Sequence, residues 1–212
     1  MDIIINIFKS MIEFAFNITG DLGIAIVLIT VTVKLLMLPF SIKQRISMKK
    51  QINFSKQVEI VKKKYKNNKR RQDEELNKLY LNNSKGMFGC FLSLLQLPVV
   101  SGLYMSITRL QFESMTMLIP WVMNIGSTDD KFIVPLIYTI VSILPSIISY
   151  FKIFNINEEP ISIKSIIPML IFGLAITVKA PVGVGIYFIT SSIFTLIEDT
   201  GFKIYSRNKV FA

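Results

Sequence analysis

The sequence contains no histidine and a single cysteine, Cys90, and these two absences exclude several kinds of site. A disulfide needs two cysteines, and a structural zinc site needs a set of Cys or His ligands. Catalytic triads that use a histidine base are excluded as well. The fourteen acidic residues leave room for carboxylate chemistry alone, but none of them interrupts an apolar run. We therefore expect no enzyme activity, no metal and no cofactor.

Charge is also scarce outside one segment. Of the 212 residues, 51% are hydrophobic, and the mean hydropathy is +0.52. Residues 42–86 hold fourteen Lys or Arg and four Asp or Glu, which accounts for the whole net charge of +10. A basic block between apolar runs sets the orientation of a membrane protein, because Lys and Arg concentrate in cytoplasmic loops. The pattern favours a membrane protein without nucleic-acid specificity.

Five apolar runs predict an all-α membrane protein with five transmembrane helices. The basic segment 42–86 is predicted to be cytoplasmic, so the N-terminus lies outside and the C-terminus inside. Pro39 predicts that the first span closes near it, and the last two runs are short for a bilayer core of about 30 Å. The predicted spans are 22–40, 87–107, 132–151, 165–178 and 181–197, with an extracytoplasmic loop at 109–131, a short cytoplasmic loop at 152–164 and a cytoplasmic tail at 198–212.

Residues 1–20 predict an amphipathic helix that lies flat at the membrane interface. Asp2 opens the chain and no basic segment or cleavage site follows, so a secretion signal is not expected. The segment is too short and too polar to span a membrane. The residues of its predicted apolar face are Ile4, Phe8, Met11, Ala15 and Ile18.

The basic segment 42–86 predicts two antiparallel helices with a polar tip. Apolar residues recur at helical spacing before the tip, from Phe54 to Tyr65, and after it, from Leu76 to Tyr80. A solvated basic linker is the alternative, and the apolar stripes argue against it. We call this segment the basic hairpin and expect it to recruit substrates through Lys62, Lys63, Lys64, Lys69, Arg70 and Arg71.

Lys34 lies inside the first apolar run. A cation at the bilayer centre costs about 2.5–3.5 kcal/mol on insertion scales, so such residues are functional candidates. Snorkelling to the cytoplasmic interface is one alternative, but helical side chains lean toward the N-terminus, away from that interface. An ion pair is another, although the predicted spans contain no acidic residue. We predict that Lys34 faces a polar cavity.

Polar residues on three spans are predicted to share that cavity. Polar groups in lipid are costly unless they face protein or water. A small-solute or ion transporter or channel subunit would also need such a cavity, but it usually shows repeated halves, and none is seen here. A structural assembly factor is a third possibility. The predicted hydrophilic groove is lined by Lys34, Thr30, Ser93, Gln96, Tyr187, Thr190 and Ser191.

The order of these motifs resembles the YidC/Oxa family of membrane protein insertases over about residues 22–198. Residues 22–44, LGIAIVLITVTVKLLMLPFSIKQ, resemble the first core span of the family. Residues 86–104, GMFGCFLSLLQLPVVSGLY, and 181–194, PVGVGIYFITSSIF, are similar to its second and last spans. Trp121, Asp129 and Pro135 keep the spacing of its outer loop. The chain resembles the short form of the family, without a large extracytoplasmic domain.

The resemblance implies an insertase and chaperone that inserts and helps fold nascent membrane proteins through a groove open to the cytoplasm and to lipid. The implied location is the plasma (inner) membrane of a bacterium, crossed several times. Nascent membrane-protein substrates and membrane lipids are the implied partners, and the participation of a ribosome, a targeting receptor or the Sec translocon stays open.

The resemblance also implies one basic residue in the groove, and it falls on Lys34, where the family usually has arginine. Lysine loses its proton in a dry site more readily than arginine. A role for its charge therefore requires a hydrated groove. The chain departs from the family twice more, with Leu92 in place of a frequent proline and Ser192 in place of a frequent asparagine.

Overall fold

A computed structural model of the protein describes residues 2–66, 68–82, 96–109, 115–150 and 163–210. Within these ranges the regular structure is entirely helical, which confirms the all-α prediction. Among the described residues, the helices beginning at Leu22 and Val182 are long and apolar enough to cross a membrane, and Ile133–Pro145 is a shorter apolar stretch of helix. The described helices are α1 (Asp2–Thr19), α2 (Leu22–Lys64), α3 (Lys69–Asn82), α4 (Gln96–Arg109), α5 (Ile133–Tyr150), α6 (Ile163–Lys179) and α7 (Val182–Val210).

Helix α2 runs through Pro39 without ending there. A proline in a helix interior removes one backbone hydrogen bond and crowds the preceding turn, but the helix continues to Lys64. The first predicted span and the first arm of the basic hairpin are therefore one helix. The chain divides into two compact units, Met1–Leu36 with Val99–Ala212 and Met37–Pro98, so the division falls inside α2 just before Pro39.

The apolar core of the larger unit is concentrated at one end. There, residues 115–132 contact the starts of α2, α5 and α7, and we call this the loop end. Helix α5 packs against both α6 and α7. Among the described residues, α2 has no buried residue after Thr30, and α7 has none after Ser191. The core residues are Phe8, Ile12, Ala15, Leu22, Ala25, Ile26, Ile29, Leu103, Ile107, Ile119, Val122, Ile125, Val134, Ala180, Val182, Val184, Ile186 and Tyr187.

Helix α1 has three different sides. Phe8, Ile12 and Ala15 are buried in the core, and Ile12 was not part of the predicted apolar face. Ile18 was assigned to that face, but it is 64% exposed. The predicted face therefore combined residues from two adjacent apolar sides of the helix, one buried and one exposed. The second apolar side consists of the exposed Ile7, Phe14 and Ile18, and the polar side includes Lys9, Glu13 and Asn17.

The smaller unit contains the second half of α2 and α3, paired in opposite directions. The rings of Phe54 and Tyr80 meet edge to face, with centroids 5.4 Å apart. Nearer the turn, the side-chain amide of Gln72 donates to the carbonyl of Lys62 at 3.1 Å. The side-chain oxygen of Asn68 accepts the backbone N–H of Arg71 at 3.2 Å and caps the start of α3.

Candidate functional site: a lysine between two apolar helices

Lys34 of α2 contacts α7 at a depth well inside both helices. Its ammonium donates to the hydroxyl oxygen of Thr195 at 3.4 Å. The Thr195 hydroxyl itself donates to the carbonyl of Ser191 at 2.8 Å, so a lone pair is left to accept from Lys34. At 1.5 Å per residue, Lys34 lies about 18 Å from the start of α2. A cation and a hydroxyl thus meet between two helices whose flanking residues are apolar.

Glycine allows α7 to approach its neighbours closely near the loop end. A Cβ atom on Gly183 would lie 2.9 Å from a methyl group of Ile107 and 3.2 Å from one of Ile26. These contacts bring the start of α7 against α4 and α2. Further along the two helices, the hydrogen bond between Lys34 and Thr195 joins α2 to α7.

The predicted groove residues on these two helices differ in how deeply their side chains are buried in the protein. Thr30, Tyr187 and Ser191 are 2%, 3% and 4% exposed, and they lie toward the loop end. Lys34 and Thr190 are partly exposed. The hydroxyls of Thr30 and Thr190 donate to carbonyls four residues earlier in their own helices, at 2.6 and 2.8 Å. Such bonds leave each oxygen able to accept a further hydrogen bond.

Two predicted groove residues are not placed at the side-chain level. Ser93 lies outside the described residues, and Gln96 begins α4 with a side chain that is not described. Thr195, in contrast, was missed by the sequence analysis. It lies four residues after Ser191 and eight after Tyr187, so the helical spacing of a polar stripe contained the signal.

Asp21 holds the 115–132 loop against the start of α2. Its carboxylate accepts the backbone N–H of Ile24 at 3.0 Å, which caps the helix, and the hydroxyl of Thr116 and N–H of Met117, both at 2.7 Å. Burial by itself would raise the pKa of Asp21, but the hydrogen bonds from Met117, Ile24 and Thr116 outweigh it and lower the pKa below its ordinary value. The buried carboxylate of Asp21 therefore links the start of α2 to the 115–132 loop.

Asp129 plays the same structural part for α5. It is 5% exposed and accepts the indole N–H of Trp121 at 3.1 Å and the backbone N–H of Val134 at 2.7 Å. The first backbone N–H groups of α7 are satisfied by the loop too, since Val182 donates to the carbonyl of Ser127 at 2.8 Å. The loop thus supplies acceptors to the starts of α5 and α7, whose first N–H groups have no partner within their own helix, and it donates hydrogen bonds to Asp21 at the start of α2.

The six cations predicted for recruitment lie around the tip of the basic hairpin and are all exposed. Two of them form ion pairs along their own helices, Lys63 with Glu59 at 2.7 Å and Arg70 with Glu74 at 3.6 Å. The hydrogen bond from Lys63 lowers the pKa of Glu59. In the described part of the chain, no group of three or more Asp, Glu, Cys or His side chains is placed to hold a metal ion.

In the described ranges, these features define an all-helical protein of the membrane class, with a lysine between the apolar stretches of two helices and a loop held by buried aspartates. The chain belongs to the 60Kd inner membrane protein family, whose family model matches residues 14–209. The resemblance to the YidC/Oxa family is thereby confirmed.

Individual relatives are similar in sequence over most of the chain. A membrane protein insertase YidC of Caldanaerobacter subterraneus is 31% identical over 89% of this chain and 88% of its own length. One of Fusobacterium nucleatum is 26% identical over 94% of this chain and 96% of its own length. Membrane protein insertase YidC 1 of Listeria monocytogenes is 31% identical over 84% of this chain, and the match spans 63% of that longer protein.

Proposed function

We propose that the protein is a membrane protein insertase whose groove is the space beside Lys34 and Thr195. The observation that carries this proposal is the 3.4 Å contact between the Lys34 ammonium and the Thr195 hydroxyl, which lies within the apolar stretches of both helices. An ionisable residue at this depth is a functional candidate by default. The relatives that match most of the chain are named membrane protein insertases.

The chemistry of the contact suits a polar client segment. A hydroxyl is a neutral partner for an ammonium group, whereas a carboxylate adds the Coulomb attraction of an opposite charge to the hydrogen bond. A carboxylate of a client segment therefore competes favourably with Thr195 for Lys34. The partly exposed hydroxyl of Thr190 replaces part of the water that the segment loses, and the buried Thr30, Tyr187 and Ser191 border the groove toward the loop end.

The apolar part of the client leaves toward lipid. Exposed apolar side chains on α5, α6 and α7 offer a surface along which a client helix slides. Burial of the client's apolar area in lipid contributes about 25 cal/mol per Å² to the free energy of transfer. The membrane potential adds about 2.3 kcal/mol per unit charge per 100 mV for acidic segments moved outward. No nucleotide hydrolysis or covalent step is required. The exposed apolar residues include Leu136, Ile137, Ile140, Ile147, Ile167, Ile171, Leu174, Ile193 and Ile197.

The proposed orientation has five spans, the N-terminus outside and the basic hairpin and C-terminus in the cytoplasm of a bacterium. The concentration of Lys and Arg in residues 42–86 supports it. Helix α1 supports it as well, because a helix at the interface needs one side for the protein, one for lipid and one for water. Its buried, exposed apolar and polar sides meet this requirement.

The basic hairpin is the proposed meeting point with partners. Its six exposed cations attract nascent chains, acidic surfaces of a ribosome or targeting receptor, and anionic lipid headgroups. The Sec translocon is a further candidate partner. The groove then receives what the hairpin has recruited.

A small-solute transporter would need a path open in turn to both sides of the membrane. The packed loop end, where Asp21 and Asp129 hold the loop to α2 and α5, argues against such a path. A photo-crosslinking amino acid at position 34 separates the two functions. We expect crosslinks to stalled membrane-protein nascent chains, and a control probe at the exposed Leu36 to give fewer crosslinks to the polar part of the client. Equal labelling from both positions, or none from position 34, would reject the groove.

A further inference from the structure

The polar stripe of α7 continues beyond the groove to an ion pair that is shielded from solvent. The ammonium of Lys203 lies 2.8 Å from a carboxylate oxygen of Asp199, and the two side chains are only 13% and 22% exposed. In the pairs Lys9–Glu13, Lys63–Glu59, Arg70–Glu74 and Lys78–Glu75, by contrast, each side chain is at least 41% exposed. Solvent and salt screen a shielded pair far less than an exposed one, so the fields of both charges remain strong locally.

The ion pair shares the face of α7 that carries the Lys34 contact. The polar residues Ser191, Thr195, Asp199 and Lys203 follow one another at intervals of four, which places them along one slowly turning side of the helix. The Lys203 side chain leans back toward Asp199, in the direction of Thr195. A segment moving along this stripe toward Lys34 passes the ion pair first.

We infer that Lys203 is a second substrate-binding cation and that Asp199 is its resident counter-ion, which an acidic residue of the client replaces. This inference rests on the proposed insertase function and names the substrate class of its groove. The exchange is favoured because an ammonium in a shielded position is costly to leave unpaired, so it changes partner instead of losing one. Asp199 also repels the incoming carboxylate. Only a segment that binds both Lys34 and Lys203 gains enough free energy to overcome this repulsion.

The spacing of the two cations defines the client. Asp199 and Lys203 lie four and eight residues beyond Thr195, which corresponds to about 6 and 12 Å along the helix. An extended chain advances about 3.3 Å per residue. The two cations therefore fit crossing segments in which two carboxylates are separated by about two to four residues.

Reconstituted insertion into vesicles tests this assignment with three variants and three client segments. The variants are Lys203→Gln, Asp199→Asn and Lys9→Gln, the last of which removes a lysine from the exposed pair with Glu13 as a matched control. The clients differ only in the crossing segment, which carries two acids three residues apart, two acids ten residues apart or none. Thermal unfolding of each variant in detergent is measured in parallel.

We expect Lys203→Gln to lower insertion of the closely spaced diacidic client about fivefold, with little effect on the neutral client. Asp199→Asn is expected to raise insertion of the same client, because the competing carboxylate is gone, and Lys9→Gln to leave all three unchanged. A purely structural ion pair predicts something different, namely that both variants of the pair lower insertion of every client and lower the unfolding temperature together. That result, or an equal response of the two diacidic clients, would overturn the inference. If the unmodified protein inserts none of the clients, the insertase proposal itself fails.

Discussion

The carboxylate of Asp21 accepts a hydrogen bond from the hydroxyl of Thr116 at 2.7 Å, across 95 positions of sequence. This contact joins the first turn of α2 to the loop that also covers α5 and α7. Gly23 makes the approach possible, because a Cβ atom at that position would overlap the Thr116 hydroxyl. The packing of the loop end therefore depends on a small number of specific contacts, and in our proposal it closes the groove on one side.

Replacing Asp21 by asparagine should weaken this end of the protein. Asparagine offers one acceptor oxygen where the carboxylate has two, so a buried N–H loses its partner. A hydrogen bond to a charged group contributes about 1.5–3 kcal/mol, and we expect a loss of that order in the free energy of unfolding in detergent. Asp130→Asn, at an exposed position of the same loop, is the control and should change little.

The same residue predicts a pH dependence. Because the pKa of Asp21 is lowered in the folded protein, its stabilisation is present above the ordinary value of about 3.9 and is lost as the pH falls toward the lower folded pKa. Unfolding temperatures recorded between pH 3 and pH 7 should fall more steeply at the acid end for the unmodified protein than for Asp21→Asn. Parallel curves for the two proteins would contradict the assigned role.

Two glycines of α7 should respond oppositely to alanine. Gly185 is buried, and a Cβ atom there would overlap a methyl group of Val134 on α5, whereas nothing lies within 4 Å of a Cβ atom at Gly201. We expect Gly185→Ala to lower the free energy of unfolding by about 1–3 kcal/mol through overpacking. Gly201→Ala should raise it by up to about 1 kcal/mol, because alanine favours the helix. Combining Gly185→Ala with Val134→Ala should recover part of the loss, and no recovery would place the strain elsewhere.

The basic hairpin can be removed to test recruitment. Deleting residues 46–84 removes most of the compact unit Met37–Pro98, so the other unit should keep its fold. We expect the deleted protein to unfold cooperatively in detergent yet to lose client delivery in a reconstituted translation and insertion assay. Full insertion activity of this deletion variant would remove the hairpin from the mechanism.

Charge and shape of the hairpin can be separated by a second variant. Changing Lys62, Lys63, Lys64, Lys69, Arg70 and Arg71 to glutamine keeps the Phe54–Tyr80 contact and removes only the exposed cations. If attraction of acidic partners is the hairpin's role, this variant should lose delivery as the deletion does, and the activity of the unmodified protein should decline as salt is raised.

Local patterns of the sequence were sufficient to predict the all-helical class and to single out Lys34 inside an apolar run. Helical spacing and the position of Lys34 depend only on neighbours along the chain. The partners of Lys34 and Asp21 could not be predicted in this way, because Thr195 and Thr116 are brought to them by packing between distant segments. The passage of α2 through Pro39 was also missed, since a proline predicts a helix end unless the surrounding helix is stabilised on both sides.

The most direct test of the groove compares Lys34→Ala and Lys34→Arg in vesicles, with client segments that cross the membrane with or without acidic residues. We expect Lys34→Ala to reduce insertion of acidic clients about five- to tenfold, which corresponds to about 1–1.4 kcal/mol, and to spare neutral ones. Lys34→Arg should retain both, because it keeps the charge beside Thr195. Insertion of acidic clients by Lys34→Ala at the rate of the unmodified protein would contradict the electrostatic role of the groove.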